Sequence, residues 1–265
     1  MEEASLATPS IVPRNNAPVI GAAPEGARDQ DSAARAVREM FTSIAPHYDL
    51  LNHVLSFNVD RIWWRRTARA FRHILERRDA RVLDLCCGTG DMTFALHRQA
   101  GQETPQIVGA DFAHTMLQRA VAKSASVNSS RPCWIEADAL RLPFPSEHFD
   151  LVTSAFGFRN LADYDAGLRE IVRMLRPGGE CGILDFSEPK GMMGALYRVY
   201  FKQVLPRVGT MISGVRGPYA YLPASVQRFP EPDEMLHRMK QAGFAETTWT
   251  PYSFGIAGLY RGKKV

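Results

Sequence analysis

The stretch DLCCGTGD, Asp84 to Asp91, closes an apolar run, ARVLDLCC (80–87), and opens a helical one from Asp91 to Gln99. A strand, a glycine turn and a helix in that order form the first unit of a parallel α/β sheet. The ligand of such a sheet sits beyond the carboxyl end of this strand, at the switch point beside it. The dinucleotide form of the turn, G-x-G-x-x-G, needs small residues at 88, 90 and 93. Position 93 is Thr93, so the third glycine is absent. Asp84 and Asp91 would also repel a pyrophosphate, at a cost on the order of a few kcal/mol for an effective dielectric near 20. Glycines and carboxylates together suit a ligand that is cationic and carries no phosphate. S-adenosylmethionine, with its sulfonium and α-ammonium, is such a ligand. Gly88 and Gly90 would admit its methionine moiety, and Asp84 would face the positive charge.

The alternation continues downstream. QIVGADF (106–112), CWIEADA (133–139), FDLVTSAF (149–156) and GECGILDFS (179–187) read as strands. AHTMLQRAVAKS (113–124) and ADYDAGLREIVRMLR (162–176) read as helices, the second closed by Pro177-Gly178-Gly179. ETTWTPYSFGIAGLYRGKK (246–264) reads as a closing hairpin around Gly255. The expected fold is Rossmann-like: a mostly parallel seven-stranded sheet, helices on both faces and a C-terminal antiparallel hairpin. Asp111 ends the second strand about twenty residues past the loop, where a carboxylate can accept both ribose hydroxyls. Asp138 and Ala139 end the third strand, where they can meet the adenine amino group and face. Each acid alone would equally serve as a helix cap or a solvated turn.

The chain has 265 residues, 45% hydrophobic and 23% charged, with a net charge of +4. That is an ordinary globular composition and does not by itself call for nucleic acid. No apolar run reaches the roughly 18–20 residues of a membrane span, and the N-terminus lacks a basic stretch followed by an apolar one. Cys86, Cys87, Cys133 and Cys181 form no C-x-x-C pair and read as reduced thiols of a cytoplasmic protein. No metal site is expected. Residues 1–30, rich in Ala, Pro, Asn and Gly, read as a disordered tail. Residues 31–265 read as a single domain with an N-terminal helical cap (31–78). Helices are expected over Ser32–Ile44, ended by Pro46, and over Asp60–Arg78. The second places Trp63, Thr67, Ala70, Phe71 and Ile74 on one face and Arg61, Arg65, Arg69 and Arg72 opposite. That basic face is either simply solvated or lies near an anionic membrane. Glu188–Pro230 interrupts the alternation with Lys190, Arg198, Lys202, Arg207, Arg216 and Arg228 among aromatics, and reads as a lid over the ligand edge.

Longer stretches carry a resemblance. HYDLLNHVLSFNVDRIWWRR (47–66), ALRLPFPSEHFDLVTSAFGFRNLADYDAGLREIVRMLRPGG (139–179), ILDFSEP (183–189), FKQVLPRVG (201–209) and YAYLPASVQRFPEPDEM (219–235) resemble the signatures and cap of one family. It is the demethylmenaquinone and ubiquinone-pathway C-methyltransferases of the class I methyltransferase superfamily, and the likeness runs from about Ala34 to the C-terminus. The resemblance implies S-adenosylmethionine contacts at Thr89, Asp111, Asp138 and Ala139. It departs from the family at Ala155, where some members have serine, and at Asp185, where glutamate is usual. It implies a polyprenylated quinol substrate and transfer of one methyl group to a ring carbon, with demethylmenaquinol as the expected acceptor and a ubiquinone-pathway benzoquinol as the alternative. It carries with it peripheral contact at the inner face of the membrane and leaves a homodimer open.

Tyr48, Asp49, His53, Arg159, Asp185 and Tyr221 are candidates for handling the phenol proton. Arg159 would stabilise a phenolate, with Asp49 and Asp185 as proton acceptors. Alternatively, Arg159 forms a structural ion pair with one of those acids. His47 is more simply a packing residue. The rival classes are a methyltransferase for another small molecule or RNA and a non-catalytic adenosylmethionine-binding module. A continuous basic stripe with a stacking platform would mark RNA, and none is visible. Thr93 and Asp91 speak against a nucleotide-dependent oxidoreductase.

Overall fold

A computed structural model describes residues 19–24, 26–47, 49, 56, 58–101, 105–125, 132–189, 194 and 218–265. Tyr48, His53, most of the expected lid (190–193 and 195–217) and residues 1–18 and 25 of the expected tail lie outside the described residues.

Helix α1, Gln30–Ile44, starts two residues before the expected Ser32, because Asp29 caps it. The Asp29 carboxylate accepts the Ser32 N–H at 2.7 Å and the Ser32 hydroxyl accepts the Asp29 N–H at 3.1 Å, a reciprocal capping box. Order also reaches further back than residue 31. Gly21 and Ala22 donate their N–H groups to Ala162 and Leu161 carbonyls at 3.0 and 2.8 Å, and a Cβ on Gly21 would stand 2.0 Å from the Leu161 oxygen. That part of the expected tail is docked on the domain.

The expected single helix over Asp60–Arg78 is two, α2 (Val59–Ala70) and α3 (Arg72–Leu75). They part at Phe71 (φ −110°, ψ 20°), whose buried ring lies against the bare Cα of Gly182. Trp63, Thr67, Phe71 and Ile74 are buried together as expected, Ala70 of the same expected face is only half-buried, and Trp64 and Ala68 widen the stripe. Arg61, Arg65, Arg69 and Arg72 are exposed.

The remaining elements are β1 (Arg81–Leu85), α4 (Asp91–Ala100), β2 (Gln106–Asp111), α5 (His114–Ser124), β3 (Cys133–Glu136), β4 (Phe149–Ala155), α6 (Tyr164–Met174), β5 (Leu175–Phe186), α7 (Pro218–Arg228), α8 (Pro232–Ala242), β6 (Phe244–Tyr252) and β7 (Ala257–Lys264). One seven-stranded sheet has the order β3-β2-β1-β4-β5-β7-β6. The strands from β1 to β5 run parallel, β7 is antiparallel to β5, and β6 pairs antiparallel with β7. The order reverses between β1 and β4, which places the ligand crevice at their carboxyl ends. Two boundaries differ from the sequence reading. β3 stops at Glu136 rather than Ala139. β5 starts at Leu175, so Pro177-Gly178-Gly179 lie inside the strand and do not close α6. Leu175 is already extended (φ −70°, ψ 137°), and a register shift between Phe149 and Leu151 absorbs the irregular start.

Alternation along the strands builds two cores. Leu83, Leu85, Val108 and Ile183 face α6 and α8, against Leu168, Ile171, Met235 and Met239. Val82, Ile107, Leu151 and Leu184 face α2 and α4, against Trp63, Phe71 and Leu96. Burial on both faces explains why these strands read as unbroken apolar runs.

Candidate active site

Cys86 leaves β1 in the left-handed region (φ 55°), followed by Gly88 (φ 55°) and Gly90 (φ 88°). The turn reverses the chain into α4. The two glycines answer different demands. A Cβ on Gly88 would meet nothing within 4 Å, whereas one on Gly90 would stand 2.5 Å from the Trp134 indole. Trp134, from β3, also covers Gly109, where a Cβ would fall at 2.4 Å. Gly88 therefore faces open space at the cleft, and Gly90 serves the packing beneath the turn.

Asp84 is fully buried and accepts the hydroxyls of Thr93 at 2.6 Å and Thr153 at 2.9 Å. Burial pushes its carboxyl up to about 7. Asp111 is 7% exposed and accepts two backbone N–H groups, from Gly88 and Ala113, both at 2.8 Å. Burial raises its pKa, and those bonds oppose the rise. The carboxylate thus fixes the glycine turn to the end of β2. Asp138, half-buried, accepts the Leu140 N–H at 3.0 Å in the turn after β3.

Thr89 donates its hydroxyl to Asp49 at 2.6 Å. Lys123, from the end of α5, donates to Thr89 at 2.9 Å and pairs with Asp49 at 2.9 Å and Asp91 at 3.0 Å. Sequence reasoning missed Lys123; only its placement at the end of the helix after β2 hinted at it. This cluster draws Asp49 to the glycine loop and away from Arg159. Arg159 pairs instead with Asp185 at 3.0 Å, both buried. The Arg159 N–H adds a 3.1 Å bond to the same carboxylate, and the guanidinium also donates to the Phe156 carbonyl. Burial raises the Asp185 pKa and the Arg159 guanidinium opposes it. Asn160 follows directly, and its side-chain oxygen accepts the Tyr221 hydroxyl at 3.2 Å. Burial pushes the Tyr221 phenol up to about 12, so it stays a donor at neutral pH.

These elements line an open cleft at the carboxyl edge of the sheet. Asp84, Gly88, Thr89, Asp111, Asp138 and Ala139 line it, as do Asp91, Phe112, Met116, Leu140, Phe156 and Asn160. Gly90, Asp49, Arg159 and Asp185 are not among the lining residues. Among the described residues the lining holds the four carboxylates of Asp84, Asp91, Asp111 and Asp138 and no lysine, arginine or histidine. Beside the lining, Lys123 bonds Thr89 and pairs with Asp91, and Arg38 lies 5.3 Å over the Phe112 ring, so the four acids are only partly offset and a phosphate-bearing ligand would meet an excess of negative charge. A sulfonium suits that excess, and Phe112, Met116, Ala139 and Leu140 offer an apolar slot for a purine.

The profile of the ubiE/COQ5 methyltransferase family matches residues 28–264. The chain belongs to that family. Its reaction is a methyl transfer. This ubiE/COQ5-family chain is 48% identical to a demethylmenaquinone methyltransferase of Deinococcus radiodurans, over 89% of its own length and 95% of that protein. It is 47% identical to a demethylmenaquinone methyltransferase of Thermus thermophilus, over 85% and 100%. A ubiquinone/menaquinone biosynthesis C-methyltransferase, UbiE, of Geobacter sulfurreducens is 41% identical, over 86% and 88%. A solved SAM-dependent methyltransferase of Thermotoga maritima superposes with a TM-score of 0.61 at 17% identity, over 86% of this chain and 99% of that one. That likeness shows the class I methyltransferase fold. No helix among the described residues is long and apolar enough to cross a membrane.

Proposed function

We propose that the chain methylates a ring carbon of a polyprenylated naphthoquinol, converting demethylmenaquinol to menaquinol. The observation that carries the donor half of this reading is the cleft lining of four carboxylates, of which Asp91 is paired with a lysine, Lys123. The acceptor half is supported by the relatives named demethylmenaquinone methyltransferase.

S-adenosylmethionine supplies an electrophilic methyl group on a sulfonium. The chain's own residues hold and orient. The Gly88 turn and Thr89 would take the methionine end, Asp111 the ribose hydroxyls, and Asp138 with Ala139 the adenine. The acceptor would lie at the end of β4, where Phe156 and Asn160 line the cleft. There the Asn160 amide, steadied by the Tyr221 hydroxyl, can hold the quinol oxygen, so that the ring attacks through carbon with its face toward the methyl, the S–CH3 bond breaks and the ring carbon's proton passes to solvent. Arg159 and Asp185 support this edge from behind by fixing the turn that presents Asn160. Proximity and orientation of this kind contribute up to roughly 7–11 kcal/mol in favourable cases. The prenyl tail of such an acceptor places the reaction at a membrane surface.

The test is incubation with methyl-labelled S-adenosylmethionine and a short-chain demethylmenaquinone, with and without reductant, followed by NMR. One new ring methyl from the reduced form alone is expected. A methoxy signal, equal reaction of the oxidised quinone, or preference for a methoxybenzoquinol offered in parallel would overturn the assignment.

A further inference from the structure

We infer that the tip between β6 and β7, together with the outer face of α2, docks on an anionic lipid bilayer with Phe254 as the inserted side chain. This surface rests on the prenylated-acceptor reading above. Phe254 is 82% exposed. It stands in a left-handed run, with Ser253 at φ 46°, Phe254 at φ 59° and Gly255 at φ 88°. Glycine or asparagine suits such a position far better than an aromatic residue. The backbone of the tip is nevertheless pinned. Ser253 accepts the Trp63 indole N–H at 2.9 Å, and the Gly255 carbonyl accepts the Ser187 hydroxyl at 2.7 Å. A fixed tip therefore holds a large apolar ring out in water.

The neighbouring helix matches it in charge. Ile62, 44% exposed, shares one face of α2 with Arg65, Arg66 and Arg69, at i+3, i+4 and i+7. Arg66 lies 4.1 Å over the Tyr252 ring, which sets this face beside the tip. Among the described residues, Arg65, Arg66 and Arg69 make no ion pair, and no acid occurs between Arg61 and Arg72. Asp60, which precedes them, is buried and accepts the Arg61 N–H. The whole chain carries only +4, so this is a local concentration of charge. Apolar side chains flanked by unpaired arginines fit an interface of acyl chains and anionic headgroups. The patch is also braced against the wall of the cleft. The Trp63 ring that holds Ser253 lies 5.7 Å from Phe156, which lines the cleft.

The experiment is co-sedimentation of the full chain with vesicles of phosphatidylcholine, alone or mixed equally with phosphatidylglycerol. Phe254→Asn, which relieves the left-handed strain and so should fold, and Arg65→Gln/Arg69→Gln are compared with wild type. Binding to the anionic vesicles alone is expected, weakened about tenfold or more by the double arginine change and clearly by Phe254→Asn. Turnover of a water-soluble short-chain acceptor should be unchanged in both variants. Wild type that ignores phosphatidylglycerol, or variants that bind as well as wild type, would overturn the assignment and leave the patch to a protein partner. Sedimentation needs no methyl transfer, so its outcome is independent of the substrate assignment.

Discussion

Thr93 donates its hydroxyl to the Asp84 carboxylate at 2.6 Å, and both residues are fully buried. The residue that breaks the dinucleotide fingerprint is therefore the one that satisfies the acid at the end of β1. Thr93→Val keeps the shape and removes the donor. It should lower stability by about 1–3 kcal/mol, the cost of a buried acceptor left short of a partner, while Thr93→Ser retains most of it. Urea unfolding of the two variants separates the cases. Equal midpoints would show that the bond contributes nothing.

The same carboxyl links cofactor affinity to pH. Burial lifts the Asp84 pKa from its ordinary 3.8 to about 7 in the folded chain. For an acid shifted upward, the folded state holds the proton more tightly than the unfolded one. This contribution to stability is full at low pH and is lost as pH rises from about 4 to about 7. A cation bound in the cleft favours the ionised form. Affinity for S-adenosylmethionine should therefore rise between roughly pH 6 and pH 8, with release of a fraction of a proton. Calorimetric titration in two buffers of different ionisation enthalpy measures that release. A flat affinity and equal enthalpies would remove Asp84 from the linkage.

Asp111→Ala should weaken S-adenosylmethionine by about 1.5–3 kcal/mol, the scale of a hydrogen bond to a charged group. Because Asp111 also accepts the Gly88 N–H, part of the loss should come from a loosened loop. Thermal denaturation without ligand reads that part separately. Unchanged affinity would displace the ribose from this carboxylate.

Gly157 packs on the first strand's exit. An added Cβ would stand 2.4 Å from the Cys86 Cβ, on a residue itself held at φ 55°. Gly157→Ala should cost several kcal/mol, with a melting loss of about 2–4 °C per kcal/mol. Cys86→Gly removes the opposing atom and suits the left-handed backbone, so it should restore most of the loss. Purely additive effects in the double variant would show that the two residues do not compete for space.

The sequence made the sheet, the cleft edge and most cleft-lining acids legible, because strand-end acids recur at spacings fixed by the βα repeat. What it hid depends on distant contacts. Gly90 looked like a ligand-facing glycine, yet its neighbour is Trp134 of β3. Lys123 has no motif, and it matters because α5 ends beside Asp49 and Asp91. The break at Phe71 has no proline or glycine to announce it. The reason lies in Gly182, more than a hundred residues on.

Arg159 and Asp185 offer the last test, since the sequence left their role divided between chemistry and architecture. The two are buried together at 3.0 Å, and neither is among the residues lining the cleft. Their bonds fix the turn Phe158–Asn160, which carries Asn160 to the cleft. If the pair works through that turn, removing either partner should do the same damage. Arg159→Ala and Asp185→Asn should each destabilise the fold, by about 3–5 kcal/mol where a charge is left buried and unpaired. Each should lower kcat more than it raises KM, because the loss is one of acceptor alignment in the transition state. The double variant should be little worse than either single one, giving a coupling energy on the order of a few kcal/mol in the cycle. Asn160→Ala should reproduce the kinetic loss with a smaller loss of stability. Direct action of the guanidinium on a phenolate predicts a different pattern. Arg159→Ala would then be far slower than Asp185→Asn, and Asn160→Ala would stay near wild type. Steady-state kinetics of the four variants, at a temperature where all remain folded, decides between the two.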